Sequence, residues 1–245
     1  MIRTKKPRTR RRRLDPQGRK SLHRLIENDL IQRVSFDEYR DKVQRVYGGP
    51  KGAFLATCSL LSLHIPLGER LFRRRRFDLR GARRILDIGS GAGQLAGHVL
   101  KYADPEATVT CTDLSRQMLR RARTRLKSRR PRFVTADMTQ LPFADASFDC
   151  ITCGYVLEHL PQAEPGLAEM ARVLEPGGRV LLLTTEDNFS GAWTSRLWYC
   201  RTYNRANLLS ACQQYGLIEK QQLWFTKMHK AMRAGGICVE LQKQC

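Results

Sequence analysis

The stretch Ile85-Leu86-Asp87-Ile88-Gly89-Ser90-Gly91-Ala92-Gly93 constrains the fold more than any other part of this chain. Three apolar residues around one acid read as a buried strand, and a glycine at every second position makes the chain turn tightly as it leaves that strand. Glycine permits the sharp turn and lets bare backbone lie against a ligand. A G-x-G-x-x-G dinucleotide fingerprint begun at Gly89 fails, because its last glycine falls on Gln94. The frame Gly91-Ala92-Gly93-Gln94-Leu95-Ala96 satisfies the looser form. Taken alone, the turn fits a dinucleotide, another ligand or none.

Beyond the glycines the chain repeats the strand and helix alternation. Residues 94–102 have helical spacing, 107–112 are rich in β-branched residues, and 115–128 form a second helix with Leu114, Met118, Leu119, Ala122 and Leu126 on its apolar side. Strands are expected at 132–136, 148–156 and 179–184, with a helix over 163–174. Further on, 201–214 reads as a helix, 217–226 and 236–242 as strands of an antiparallel edge, and 227–233 as a basic loop or helical turn. The expected fold is therefore α/β, a Rossmann-like, doubly wound, mostly parallel sheet of seven strands with an antiparallel C-terminal edge. An N-terminal helical cap precedes it. The segmentation is 1–20 as a basic disordered tail, 21–80 as the cap and 81–245 as the ligand-binding domain.

The cap prediction rests on apolar residues at 22, 25, 26 and 30 and on a capping box from Ser35 to Glu38, ended by Gly48-Gly49-Pro50. Residues 52–67 carry no formal charge but contain Ser59, Ser62 and His64 and are broken by Pro66. They are too interrupted for a membrane span, yet suited to a membrane surface or a greasy ligand. Arg73 to Arg76 read as a solvated face. The first 13 residues hold Lys5, Lys6, Arg8 and Arg10 to Arg13, with no apolar segment of signal-peptide type.

Charge narrows the partners without naming one. The 44 basic and 23 acidic residues give +21, which favours polyanions or anionic lipid surfaces. Eight cysteines without the dense spacing of a secreted scaffold suggest free thiols in a reducing, cytoplasmic setting. Cys150 and Cys153 form a C-x-x-C inside a strand, where they face opposite sides, so neither a redox pair nor a metal site is expected there.

In a doubly wound sheet ligands sit beyond the carboxyl ends of the strands. Gly89, Asp113, Asp137 and Tyr155 all fall at such ends. Asp113, twenty positions after Gly93, is placed to accept from a ribose 2′,3′-diol. Asp87 beside the glycines would repel a pyrophosphate and attract a cation, which favours a phosphate-free, positively charged ligand over a dinucleotide.

Five blocks in order carry a resemblance. They are 86–93, the acid Asp113, Ala136-Asp137-Met138-Thr139-Gln140-Leu141-Pro142-Phe143, Ser147-Phe148-Asp149 leading to Leu157-Glu158-His159-Leu160, and 172–179 around Pro176-Gly177-Gly178. Over residues 84 to 186 the chain resembles the class I S-adenosylmethionine (SAM)-dependent methyltransferase family, and within it the branch acting on small molecules, including quinone and lipid precursors. The resemblance implies SAM as cofactor, with Gly89, Gly91 and Gly93 beneath its methionine part, Asp113 on the ribose, Asp137 on the adenine amino group and Met138 packed on the ring. Asp87, Ser90, Leu114, Met118, Cys153 and Gly154 complete the implied cofactor site. Tyr155, Glu158 and His159 are the candidate catalytic residues, Tyr155 bordering the methyl and the other two as bases. Plainer roles stay open: helix caps for Asp113 and Asp137, core packing for Met138, a structural hydrogen bond for His159.

For the acceptor, Cys153-Gly154-Tyr155-Val156 departs from the Asp/Asn-Pro-Pro-aromatic signature of base amino methyltransferases, and no Pro-Cys nucleophile is present. The expectation is a methyltransferase for a small, hydrophobic or lipid-like acceptor, cytoplasmic and peripheral to an anionic membrane surface. Two alternatives stand beside it: an RNA or protein methyltransferase using the basic tail for nucleic acid, and a non-catalytic SAM- or nucleic-acid-binding module. Oligomeric state is not readable from the residues.

Overall fold

The computed structural model describes residues 64–198, 200–232 and 236–245, and the single positions 38, 41 and 45. Of the expected cap, Glu38, Asp41 and Arg45 are helical, and the Arg45 guanidinium donates to the Asp41 carbonyl. The capping box at Ser35, the helix over 22–31 and most of 52–67 lie outside the described residues.

In chain order the elements are α1 (His64–Arg73), β1 (Arg84–Ile88), α2 (Gln94–Tyr102), β2 (Thr108–Asp113), α3 (Arg116–Leu126), β3 (Pro131–Thr135), β4 (Phe148–Gly154), a 3-10 turn (Leu157–His159), α4 (Glu164–Val173), β5 (Leu174–Thr184), α5 (Phe189–Trp198), α6 (Arg205–Gln214), β6 (Leu217–Gln222), α7 (Lys227–Met232) and β7 (Ile237–Lys243). One sheet runs β3-β2-β1-β4-β5-β7-β6. β1 to β5 are parallel, and β7 lies antiparallel between β5 and β6. The expected seven-stranded sheet with its antiparallel C-terminal hairpin is present. The chain's last strand is inserted one place in, leaving β6 at the edge.

Both faces of the sheet are covered, so the central strands read as apolar runs rather than alternations. Successive residues nevertheless go to opposite faces. Ile85, Val109, Cys111, Cys150, Leu181 and Leu183 belong to one core, with Leu71 and Phe72 of α1 and Ala96 and Val99 of α2. Leu86, Ile88, Ile151, Cys153, Val180 and Leu182 belong to the other, with Leu167 and Met170 of α4 and Leu208 of α6. Cys150 and Cys153 thus sit in different cores, and all seven described cysteines are free.

The described residues before position 80 pack onto the sheet's helical layer. Leu71, Phe72, Phe77 and Leu79, placed in the cap by sequence, are buried against α2; Phe72 stacks on Tyr102 with centroids 6.3 Å apart, and Glu69 accepts from Lys101 and Tyr102. Among Arg73 to Arg76, the first three are exposed and Arg76 donates to the Trp224 carbonyl.

Several polar side chains fix the strand ends. Asp149 accepts from the Arg83 and Arg84 amides at 2.8 and 3.0 Å, anchoring the start of β1. Arg172 of α4 reaches the carbonyls of Leu141 and Phe143 and pairs with Glu169 and Asp145. Asp149 and Arg172, each from one of the five sequence blocks, therefore act on the scaffold. The chain proceeds outward from β1 to β3 and returns on the other side of β1 at β4. The crevice between the β1 and β4 carboxyl ends is the switch point where such sheets bind ligands.

Candidate cofactor site at the switch point

The turn after β1 is held by backbone. The Ser90 amide donates to the Thr112 carbonyl at 2.7 Å, the Gly93 amide to the Ser90 carbonyl at 2.8 Å, and Ser90 Oγ to the Asp87 carbonyl at 3.0 Å. Gly89 has φ 64° and a β-carbon there would lie 2.1 Å from Val156 Cγ2. Gly93, φ 82°, caps α2, and its missing β-carbon leaves room for Ala122 and Leu126 of α3. At both positions a side chain would meet a left-handed backbone and an occupied space at once.

Asp113 ends β2 and braces this turn. One carboxylate oxygen accepts from the Gly91 amide at 2.9 Å, the other from the Ser115 amide at 2.8 Å. Burial raises its pKa above the usual carboxylate value, opposed by those two bonds. A carboxylate has about four acceptor sites, so two such bonds leave acceptor capacity for a diol. Ser115 itself caps α3 through the Met118 amide, so Asp113 organises the turn around the helix start without being its cap.

Asp87 is fully buried in β1. Its Oδ1 accepts from Thr152 Oγ1 at 2.6 Å, while Oδ2 has no hydrogen-bond partner. Burial pushes the carboxyl up to about 6, against the Thr152 bond and, more weakly, the neighbouring Ser90 hydroxyl, which pull it down. An orphaned carboxylate oxygen is costly inside a protein. A cationic ligand at the switch point would relieve that cost through its field.

The third strand end contributes Asp137, whose Oδ1 accepts from the Thr139 amide and hydroxyl, both at 2.8 Å. Met138 is 6% exposed and joins the core, with Cε directed at Gly166 of α4. Its side chain therefore packs in the core, the plainer role left open for it. Cys153 likewise turns its thiol into the α4-side core, and burial raises its pKa, so it offers the site backbone alone. Leu114, 36% exposed, and Met118, whose methyl lies close to Gly91, remain at the rim. Gly154 has no side chain to obstruct the crevice, and one there would come within 3.1 Å of Leu95.

Of the three candidate catalytic residues, Glu158 is committed elsewhere: its Oε2 accepts from Thr184 Oγ1 at 3.0 Å and the Thr185 amide at 2.7 Å, and it is 2% exposed. That tie fastens the turn after β4 to the end of β5. Burial keeps the His159 imidazole below its ordinary pKa, hence neutral at pH 7. Tyr155 takes φ 59°, an outlier for a bulky residue of the kind held at functional sites, and burial keeps its phenol protonated. Sequence reasoning did not find Thr152, Val156 or Thr184. Each lies in or just after a strand where nothing local marks it; only the partner across the sheet gives it a role.

Comparison with known proteins agrees with this geometry. Residues 86–182 match the model described as a methyltransferase domain. The ubiquinone/menaquinone biosynthesis C-methyltransferase UbiE of Pseudomonas fluorescens is 39% identical over 122 residues, 47% of this chain and 48% of that protein. The protein of the same name from Idiomarina loihiensis is 33% identical over 159 residues, 62% of each. The chain thus spans about half to three fifths of the length of these curated relatives. Among solved structures, the CurJ carbon methyltransferase aligns with TM-score 0.68 at 17% identity, covering 82% of this chain and 61% of that one. A SAM-dependent methyltransferase from Aquifex aeolicus aligns with TM-score 0.59 at 14% identity, covering 85% and 97%. Over residues 86–182 the chain is thus similar to methyltransferase domains, the class for which its sequence motifs imply SAM as cofactor. The bare glycine turn, the diol-ready Asp113 and the unpaired Asp87 oxygen fit that phosphate-free cation.

Among the described residues no group of His, Cys, Asp and Glu could hold a metal ion, and no helix is long and apolar enough to cross a membrane.

Proposed function

We propose that this chain transfers a methyl group from SAM to a small, hydrophobic, quinone-type acceptor presented at an anionic membrane surface. The observation that carries the reading is the convergence of Gly89, Asp113 and the unpaired Asp87 oxygen on one switch point. The curated relatives named for quinone C-methylation then supply the acceptor class. The bound sulfonium supplies an already activated methyl, leaving the protein to align donor and acceptor and to exclude water. Asp113 holds the ribose, Asp87 offsets the positive charge, and the glycine turn brings backbone against the methionine part. Tyr155, at the β4 end, borders the transferred methyl. His159, kept neutral by burial, takes up the proton that an acceptor carbon loses as its new bond to the methyl forms. Glu158 acts by fastening the segment that carries both.

The test is incubation of the full chain with methyl-labelled SAM, reduced quinone precursors lacking a ring methyl, and, separately, RNA and protein fractions. Label is expected in the quinone-containing lipid extract. Label entering RNA or protein instead would overturn the acceptor assignment while leaving the cofactor site standing.

A further inference from the structure

Helix α5 is turned inside out. Its buried residues are Gly191, Ala192 and Ser195, and its large apolar residues Phe189, Trp193 and Leu197 are 55, 50 and 58% exposed. The exposed three are spaced four apart and form one stripe along the helix. The orientation is imposed by the packed side. A β-carbon on Gly191 would lie 1.9 Å from the Glu186 carbonyl oxygen, and Ser195 Oγ donates to the Cys200 carbonyl at 2.5 Å. Asn188 accepts from the Gly191 amide at 2.8 Å, fixing the first turn. No rotation of the helix could bury the stripe, because large residues do not fit where these small ones sit.

The stripe lies at the sheet end that carries the cofactor site. α5 follows the carboxyl end of β5. Pairing of Thr184 with Ile237 and of Gln222 with Val239 brings the β6 to β7 connection, including α7, to that same end. There Met228 is 64% exposed between the exposed Lys227 and Lys230. The surrounding chain is one-signed: 188–218 and 220–239 contain no acidic residue, while Arg196 on α5 is exposed.

We propose that α5, supported by α7, is a docking surface for an anionic lipid bilayer, with Phe189, Trp193 and Leu197 entering the headgroup and acyl boundary and Arg196, Lys227 and Lys230 meeting the lipid charge. Aromatic and aliphatic side chains flanked by cations form the composition that interfacial helices use, and each part adds to binding. A second copy of the chain would set those cations against each other, which is why a lipid surface is the occupant chosen. The inference rests on the reading that the acceptor is lipid-borne, and it places the contact on the described α5 rather than on residues 52–67 alone.

The test uses the full chain and phosphatidylcholine vesicles with or without about one third phosphatidylglycerol. Wild-type protein should sediment with the anionic vesicles, with a blue shift in Trp193 fluorescence isolated by subtracting Trp193→Phe. The variant Phe189→Ser/Trp193→Ser/Leu197→Ser should lose roughly ten-fold or more in partitioning. Leu197→Gln alone should lose a smaller part, and serves if the triple variant melts early. Partitioning unchanged in both variants would assign any lipid binding to other basic segments and overturn the proposal, as would a wild-type dimer that the triple variant dissolves. Methyl transfer to a soluble, short-chain quinol should be unaffected by these variants. Its failure would count against the proposed function, whereas loss of vesicle binding alone would not.

Discussion

Two glycines at the same end of the sheet teach opposite lessons. At Gly89 the missing side chain lets the turn close against Val156, whose side chain would lie 2.1 Å from a β-carbon. At Gly191 the missing side chain lets α5 press onto the Glu186 carbonyl, a backbone atom at 1.9 Å. The first shapes the turn that Asp87 precedes and Asp113 braces; the second fixes a helix with its apolar residues outward. Close approach by glycine thus produces a tight turn at the switch point in one place and an outward-facing surface in the other.

The contrast breaks most visibly under Gly89→Ala. A non-glycine residue at φ 64° costs roughly 1–2 kcal/mol, and overpacking against Val156 about 1–3 more, so a loss near 3 kcal/mol is expected in urea unfolding. Adding Val156→Ala should restore the packing part and leave the backbone part. No such rescue exists for Gly191→Ala, because a carbonyl oxygen cannot be trimmed. Recovery of Gly191→Ala by any side-chain substitution nearby would contradict the packing described for α5.

Asp87→Asn should have the next largest effect, and with a gain in stability. Burial raises Asp87 from 3.8 to about 6, so the folded state holds its proton more tightly than the unfolded one. The ionised form therefore weakens the fold above pH 6, by roughly 3 kcal/mol from the linkage relation, and stability rises as pH falls from about 6 toward 4. The asparagine variant should be more stable than wild type at pH 7.5 and lose that pH dependence, while binding SAM more weakly. In wild type, SAM affinity measured by calorimetry should fall between pH 7 and 5 as Asp87 protonates. A variant that binds SAM at full strength would remove Asp87 from the site.

The glycine turn was readable in sequence because the features that shape it are local: alternate glycines, an apolar strand before them, an acid twenty positions later. The parallel core was readable for the same reason, since strands buried on both faces are apolar throughout. The helix α5 was not. Its buried residues are the small ones and its apolar ones face out, so the rule that places large apolar residues inside gives no helix over 189–198. The expected helix over 201–214 begins at Arg205, where Asn204 caps it, and the expected strand over 217–226 stops at Gln222 before α7. Within the site, Met138 and Cys153 were assigned by position in a motif, and their side chains are taken by the core because Gly166 and the β4 pleat draw them there. Glu158 was read as a base for its place after β4; the bonds that hold its carboxylate come from Thr184 and Thr185, distant in sequence.

Asp113→Ala separates the bracing of the turn from the proposed hold on the ribose. Loss of its bonds to the Gly91 and Ser115 amides should cost about 1–2 kcal/mol of stability. Loss of the proposed ribose contact should weaken SAM binding by about 2 kcal/mol, roughly thirty-fold, as expected for a charge-assisted hydrogen bond. Asp113→Asn keeps one acceptor and should sit between. Equal SAM affinity in wild type and alanine variant, by calorimetry, would place the ribose elsewhere.

The smallest expected effect is the sharpest for α5. Substitutions of exposed residues away from caps and cores usually change stability by less than about 0.5 kcal/mol. Replacing Phe189, Trp193 and Leu197 by serine should therefore leave the unfolding midpoint and SAM affinity near wild type, although three large apolar residues are removed from one helix. A loss of several kcal/mol would mean that the stripe is covered by the chain itself, and the outward face would be a buried one. An unchanged midpoint combined with lost vesicle binding is the outcome that only an exposed, externally directed stripe produces, because core residues of this size cannot be exchanged for serine without leaving cavities.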